Sequence, residues 1–324
     1  MMDLAPQEIE AVDALAPRFC PDCRARRVLH RGEGLVVELA RAGPPAILKI
    51  IPSSTEIAHV LRARLDWITH LHQNGLRVPE LVASTGGGLV EAVELRGIIY
   101  TAYAYTALPI TVANQIDWRD ATMPPKLGNV MGRMHRLARS YRPGPERPTI
   151  GHWDDADWLR EPEKALHRSQ SAIVDSIYQL RDRISQFPRD QANYGLIHDD
   201  LHTGNVFCLD DDLVIIDFDC CHHSWYVGDI SSAVLFRVWI GPDKDAQEAT
   251  TFLQGLIQGY TAQNALPPEW ASMLPYFLKL REISLFQSFY RDMDASSMEG
   301  DAFFQYLFDS ISMDKPFFDV FFVH

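Results

Sequence analysis

The feature that most constrains the fold is a change of hydrophobic period near Thr106. Before it, VLHRGEGLVVELARAGPPAILKII (28–51) alternates apolar, β-branched clusters with Gly-Glu-Gly and Gly-Pro-Pro turn signals, the pattern of two or three antiparallel strands. Ser53-Ser54-Thr55-Glu56 then offers helix N-cap residues, and Ile57, Val60, Leu61, Leu65, Ile68 and Leu71 recur at helical spacing until Asn74-Gly75. LVASTGGGLVEAVELRGIIYTAYAY returns to strand character. Beyond Thr106, PPKLGNVMGRMHRLARSY, PEKALHRSQSAIVDSIYQLRDRISQF, GDISSAVLFRVWI, DAQEATTFLQGLIQGYTAQ and PEWASMLPYFLKLREISLFQSFYRDM all carry the helical period. One β-like interruption runs from Gly195 to Phe218. The chain is therefore expected to be α+β, with residues 1–105 a small antiparallel lobe holding one helix and residues 106–324 a larger, mainly helical lobe.

Bulk properties exclude several classes. At 324 residues, with 47% hydrophobic and 23% charged side chains, the chain can bury a large core and is not disordered. A formal net charge of -13 repels a nucleic acid backbone or an anionic membrane surface. The stretch MMDLAPQEIEAVDALAP lacks the basic and apolar regions of a signal peptide, and GIIYTAYAYTALPITVANQI, interrupted by Pro109, reads as strand and linker, not a membrane span. Five cysteines, an odd number, point to a reducing compartment, the cytoplasm by default. Cys20 and Cys23 in CPDC have no second CxxC to complete a tetrahedral site, and the run Cys220-Cys221-His222-His223 points successive side chains apart. Composition leaves the oligomeric state open.

The chemistry concentrates in LIHDDLHTGNV (196–206) and the IIDFD that follows it. After Asn205, two four-residue apolar runs flank Asp210-Asp211-Asp212, which reads as a β-hairpin. Asn205 and Asp217 each lie six residues from Asp211, so antiparallel pairing is expected to set them side by side. With Asp200 nearby, this makes an oxygen-only cluster of the kind hard divalent cations choose, and it suits Mg²⁺ with a nucleotide better than zinc. Asp200 is then available to accept a proton from a substrate hydroxyl. Asp210, Asp211 and Asp212 read as turn formers.

His198-x-Asp200-x-x-x-x-Asn205 followed by Asp217-Phe218-Asp219 resembles the catalytic signature of the aminoglycoside phosphotransferase family, the kinase-like small-molecule phosphotransferases that also include homoserine-kinase-like and choline-kinase-like enzymes. The resemblance extends more loosely to Lys49 in AILKI, to LGNVMGRMHRL, to Asp229 and to FLQGLIQGY. It implies a protein-kinase-like bilobal fold, ATP and Mg²⁺ as cofactors, and transfer of the γ-phosphate to a small-molecule hydroxyl. Residue by residue, it implies Asp200 as catalytic base, His198 as a structural member of the catalytic loop, Asn205 and Asp217 as metal ligands, and Lys49 on the α- and β-phosphates. The hinge that reads adenine through its backbone is expected within YTAYAY, at Thr101, Ala102, Tyr103 and Ala104.

The sequence departs from the family pattern where Asp199 replaces glycine, where Arg64 stands in place of the helix glutamate that would pair with Lys49, and where Cys220 stands for aspartate. Neither Glu56 nor Asp66 replaces that glutamate by position, and Gly32 and Gly34 make a short glycine-rich loop. Asp199 is expected to be exposed. Trp225 and Tyr226 read as core, His135 as packing, and Arg281, Glu282 and Arg291 read equally as a solvated helix face or as substrate contacts. The acidic balance favours an amino alcohol or aminosugar as acceptor. A protein Ser/Thr stress kinase of the same fold, or a catalytically silent nucleotide-binding module, are the alternatives.

Overall fold

A computed structural model describes residues 4–312 apart from 24, 33, 112–113, 118, 144–148 and 240–245. In chain order the elements are α1 (Pro6–Phe19), β1 (Ala25–Arg31), β2 (Leu35–Ala40), β3 (Ala46–Ser53), α2 (Thr55–Gln73), β4 (Leu81–Val82), β5 (Glu91–Leu95), β6 (Ile98–Thr106) and α3 (Met123–Ser140). Two single-turn helices, α4 (Asp157–Arg160) and α5 (Pro162–Ala165), lead to α6 (Ser171–Ser185). Then come β7 (Tyr194–Ile197), β8 (Val206–Leu209), β9 (Asp212–Ile215), β10 (His222–Trp225), α7 (Val227–Trp239), α8 (Ala246–Thr261), α9 (Trp270–Tyr290) and α10 (Ala302–Ser312). The chain divides into two compact units: Met1–Asn114 with Tyr141–Ile150 and Phe207–Asp219, and Gln115–Ser140 with Gly151–Val206 and Cys220–His324. The first unit thus runs past residue 105 and takes in two later segments.

The first unit is built on a six-stranded antiparallel sheet, ordered β1-β2-β3-β6-β4 with β5 also on β6. Strand alternation separates its faces. Leu35, Val37 and Leu39, then Ala46, Leu48 and Ile50, then Tyr100, Ala102 and Ala104 form one apolar face. It packs against Ala11, Val12, Leu15, Ala16 and Phe19 of α1, a helix the sequence reading left unassigned although its apolar residues recur at helical spacing. Lys49, between Leu48 and Ile50, consequently points to the opposite face. As expected, α2 starts at a Ser54 cap, whose side chain accepts from the Ile57 N–H at 3.3 Å, and it ends at Asn74.

β8 and β9 form the expected hairpin. Asp210 and Asp211 make a two-residue loop with φ of 52° and 64°, as a type I′ turn requires, while Asp212 opens β9. The centre of symmetry therefore falls between Asp210 and Asp211. It lies half a residue before the expected centre at Asp211.

In the second unit, α3 and α8 pack with their backbones in close approach. Gly128 and Gly132 lie one turn apart on α3, and Gly255 and Gly259 one turn apart on α8. A Cβ at Gly128 would stand 1.9 Å from the Leu256 carbonyl oxygen, and one at Gly259 1.9 Å from that of Pro125. α9 is buried on nearly every side: Lys279, Arg281, Glu282 and Gln287 are buried with Met273, Phe277, Ile283 and Phe286. This overturns the reading of Arg281 and Glu282 as a solvated face. Trp225 and Tyr226 are core residues, and β10, absent from the sequence reading, pairs antiparallel with β7.

Because backbone sits where a methyl would go, Gly259→Ala should cost at least the roughly 1–3 kcal/mol typical of overpacking, read as a lower midpoint in chemical denaturation. An unchanged midpoint would mean that the two helices can separate at no cost.

Candidate active site

Each unit holds one charged cluster of its own. In the first, Lys49 on β3 pairs in register with Tyr103 on β6. Its ammonium forms an ion pair with Asp219 and lies 3.4 Å from Asp217 Oδ1. Tyr103 donates its hydroxyl hydrogen to Asp219 Oδ1 at 3.4 Å. Burial opposes a charged lysine, but the two carboxylates outweigh it and raise the Lys49 pKa, so the ammonium persists. Burial, with Asp219 beside it, drives the Tyr103 phenol well above its usual range. Among the described residues Lys49 pairs with Asp219 of the IDFD segment and with Asp217; on α2, Asp66 accepts from the Tyr141 hydroxyl at 2.8 Å, and the Glu56 side chain lies outside the described residues. At the β1–β2 turn Gly34 is required by space, since a Cβ there would lie 2.7 Å from the Ile50 carbonyl oxygen. Glu33 lies outside the described residues.

The expected adenine-reading residues need correction. Thr101 and Ala102 pair with β3 on one side and β5 on the other, and Ala104 pairs with β3 and β4. Tyr103 lies within the same strand opposite Lys49. These peptide groups belong to the interior of the sheet, and reading a base with them would break strand pairing. The Thr101 hydroxyl meets that of Ser53.

In the second unit the loop after β7 is fixed by Asp229, in the first turn of α7. Its Oδ2 accepts from the His198 N–H at 3.0 Å and its Oδ1 from the Asp199 N–H at 2.6 Å. His135 Nε2 lies 2.9 Å from Oδ2, while its Nδ1 meets the Tyr260 hydroxyl at 3.0 Å, and Asn264 donates to that hydroxyl at 2.8 Å. With Asp229 ionised, donation runs from Asn264 through Tyr260 and His135 to Asp229. Burial raises the Asp229 carboxyl, but His135 and the backbone N–H groups win and hold it below its ordinary value; burial keeps His135 neutral by lowering its pKa. His135, read as packing, therefore orients the loop's anchor.

His198 is buried, and its Nδ1 accepts from the Asp200 N–H at 3.2 Å, so it shapes the loop. Asp200 is gripped at both carboxylate oxygens. Arg281 binds Oδ1, and Asn205 donates from Nδ2 to Oδ2 at 2.9 Å and to the Asp200 carbonyl at 2.9 Å. His202 accepts the Gly204 N–H at Nδ1, 2.9 Å, so its Nε2 carries the hydrogen and faces Asp200 Oδ2 at 3.4 Å. Burial opposes the charge on Asp200, yet His202 and Arg281 outweigh it and push its pKa down to about 2. Asp199, expected to be exposed, is mostly covered, takes a left-handed φ of 63° and lies 3.6 Å from Arg281. Burial raises its carboxyl, with His222 and Arg281 opposing. Among the described residues no three His, Cys, Asp or Glu side chains gather as a metal cage. Cys20, Cys23, Cys208, Cys220 and Cys221 form no disulfide.

Asn205 has its amide nitrogen committed to Asp200, which turns its oxygen away from that residue. Asp217 keeps a partly exposed carboxylate on a left-handed backbone, φ 63°. Both offer only oxygen, the donor that a hard divalent cation takes alongside phosphate oxygens.

The family model of the phosphotransferase enzyme family matches residues 7–276, and the chain belongs to that family. It is a kinase that uses ATP to phosphorylate a hydroxyl group of a small molecule. Amicoumacin kinase of Bacillus subtilis (strain 168) is 28% identical over 276 residues, covering 84% of this chain and 82% of the relative. Among solved structures, the amicoumacin kinase hAmiN in complex with AMP-PNP, Ca²⁺ and Ami superposes with a TM-score of 0.85 at 26% identity, over 96% of this chain and 97% of that one. A microcompartment-associated aminopropanol kinase shares the fold, with a TM-score of 0.74 at 18% identity over 95% and 99% of the two chains. No helix among the described residues is long and apolar enough to cross a membrane.

The Asp229 network predicts an acid-sensitive fold. With its folded pKa depressed, Asp229 contributes stability that is present above the unfolded carboxylate value of about 3.9 and lost as pH falls through the lower folded value. Asp229→Asn should cost roughly 3 kcal/mol near neutrality, as breaking a buried pair does, and its stability should fall less steeply below about pH 4 than the parent's. Parallel pH–denaturation curves for the two proteins would contradict this.

Proposed function

We propose that the acceptor is an alcohol that also carries an amine, and that Asp200 is the base that accepts its hydroxyl proton. The observation that carries the reading is the fixation of Asp200: both carboxylate oxygens have donors, the group is held ionised, and lone pairs remain for a substrate hydroxyl. The acceptor oxygen bonds to the γ-phosphorus of ATP, its proton passes to Asp200, the bond to the β–γ bridging oxygen breaks, and ADP leaves with that electron pair. Lys49, held protonated, is assigned to the α- and β-phosphates, which exchange for Asp217 and Asp219 as its partners. His198 sets the shape of the loop. Adenine is assigned to the chain just after β6, around Leu108, beyond the paired part of the sheet.

Asn205 and Asp217 are assigned as the protein ligands of a divalent cation, with Mg²⁺ the biological choice. Bound there, the cation neutralises charge on the phosphates.

The amine rests on two supports. Asp199 and Asp200 put two carboxylates beside one guanidinium, and the similar kinases are named for amicoumacin and for aminopropanol. A net charge of -13 agrees with a cationic acceptor and disfavours nucleic acid. Cysteines that form no disulfide and the use of ATP suit a cytoplasmic enzyme.

An ATP-consumption screen over amino alcohols, aminoglycosides, amicoumacin and amine-free sugars should give its fastest turnover with an amine-bearing alcohol; a preference for amine-free sugars would reject the acceptor class. With the best acceptor, Asp200→Asn should lose about 10²–10⁴-fold in kcat while MgATP still raises its melting temperature. Full turnover in that variant would remove Asp200 as base. Chelation with EDTA should stop turnover and added Mg²⁺ restore it, with Asn205→Ala needing more Mg²⁺ for half-maximal rate; an unchanged requirement would take Asn205 out of the metal site.

A further inference from the structure

Arg281 lies outside the motif that singles out Asp200, Asn205 and Asp217. It lies past residue 276, the last that the family model matches, on a helix whose position in the sequence suggested an ordinary amphipathic face. In the structure it is only 7% exposed, its guanidinium lies 5.3 Å from the centre of the Phe236 ring, and its two terminal nitrogens reach two different carboxylates, Nη2 to Asp200 Oδ1 and Nη1 to Asp199 Oδ2 at 3.6 Å.

We propose that Arg281 is a positioning residue for phosphoryl transfer: its fork fixes the rotation of the Asp200 carboxylate and neutralises the charge that Asp199 adds next to it. Two grips, Arg281 on Oδ1 and Asn205 on Oδ2, define the carboxylate plane, whereas either one alone leaves a rotatable group. Asp199 occupies a left-handed position that glycine would hold without strain, and it brings a second negative charge beside the base. Only a cation shared between the two carboxylates keeps both in place, and the planar guanidinium, supported on Phe236, has the geometry to do so. A lysine ammonium is a point charge on a flexible stem and cannot present a fixed fork. Asp199 and Arg281 are therefore one device: the departure from glycine in the loop is matched by an arginine on α9.

The proposal rests on Asp200 as the base, and its test separates the two. Arg281→Lys keeps the charge in a buried setting and is expected to melt within about 5 °C of the parent. Its KM for ATP should stay within about twofold, while kcat with the fastest acceptor of the screen falls about 10- to 100-fold, the loss expected from misplacing a reacting group. Arg281→Met should lose more, and Asp199→Gly introduced into Arg281→Met should recover part of that loss by removing the unneutralised charge. Arg281→Lys retaining kcat within about twofold of the parent, or losing kcat only in proportion to its melting temperature, would overturn the positioning role, and so would failure of both Arg281 variants to fold. If Asp200→Asn is inactive and Arg281→Lys is unaffected, only the Arg281 proposal fails; if Asp200→Asn is active, the reading of the base fails first.

Discussion

The catalytic loop depends on one buried carboxylate. An ionised Asp229 without partners would be too costly to bury, and the structure meets that cost with three donors: the N–H groups of His198 and Asp199 and the ring of His135. Two of the three come from the loop itself, so satisfying Asp229 and shaping the loop are the same event. The third reaches back through His135 and Tyr260 to α3 and α8, the helices that approach closely enough to exclude a Cβ at Gly128 and Gly259. Tight glycine packing sets where His135 stands, His135 orients Asp229, and Asp229 sets the backbone from which Asp200 projects.

Cations repeat this logic at the two clusters. Lys49 is held by Asp217 and Asp219, and Asp200 by Arg281. In each case burial alone would discharge the group and a partner keeps it charged. The two pairs differ in permanence. Asp217 and Asp219 are more than a third exposed, so phosphates can replace them on Lys49, whereas Arg281 is buried against Phe236 and its contact with Asp200 is part of the packed interior.

How much of this was legible in the sequence follows from how local each cause is. The switch from strand to helix period, the Ser54 cap and the hairpin with its aspartates are written within a few residues, and all were readable. Asp200, Asn205 and Asp217 stand out through a local motif and Lys49 through the family resemblance, and the structure sets Asn205 on Asp200 and Lys49 beside Asp217 and Asp219. The hairpin centre lies half a residue from the expected Asp211, since three consecutive aspartates do not say which two make the turn. The extent of β6 is not written locally, because it depends on β3, β4 and β5, which lie elsewhere in sequence and draw Thr101 to Ala104 into the sheet. Arg281 and Asp219 acquired their roles through tertiary contacts. For Arg281 a signal did exist: α9 is apolar on all sides, and a charged residue in such a helix needs a buried partner.

Backbone strain gathers at the same charged positions. Among the described residues, five that are not glycine have positive φ: Arg96, Asp199, Asp210, Asp211 and Asp217. Four are aspartates within nineteen positions of one another, a side chain that tolerates this conformation better than most yet still at some cost. Asp210 and Asp211 need no function to explain them, because a two-residue hairpin demands the left-handed region at both positions. Asp199 and Asp217 have no such turn. Asp217 follows the apolar strand β9, and its left-handed backbone comes where the chain leaves that strand and the carboxylate stands at Lys49. At Asp199 the same conformation aims two successive N–H groups at Asp229 and sets a carboxylate before Arg281. Strain thus falls where two charged side chains must leave the backbone in directions that an extended strand cannot supply, and glycine, which would relieve it, would remove the charge as well.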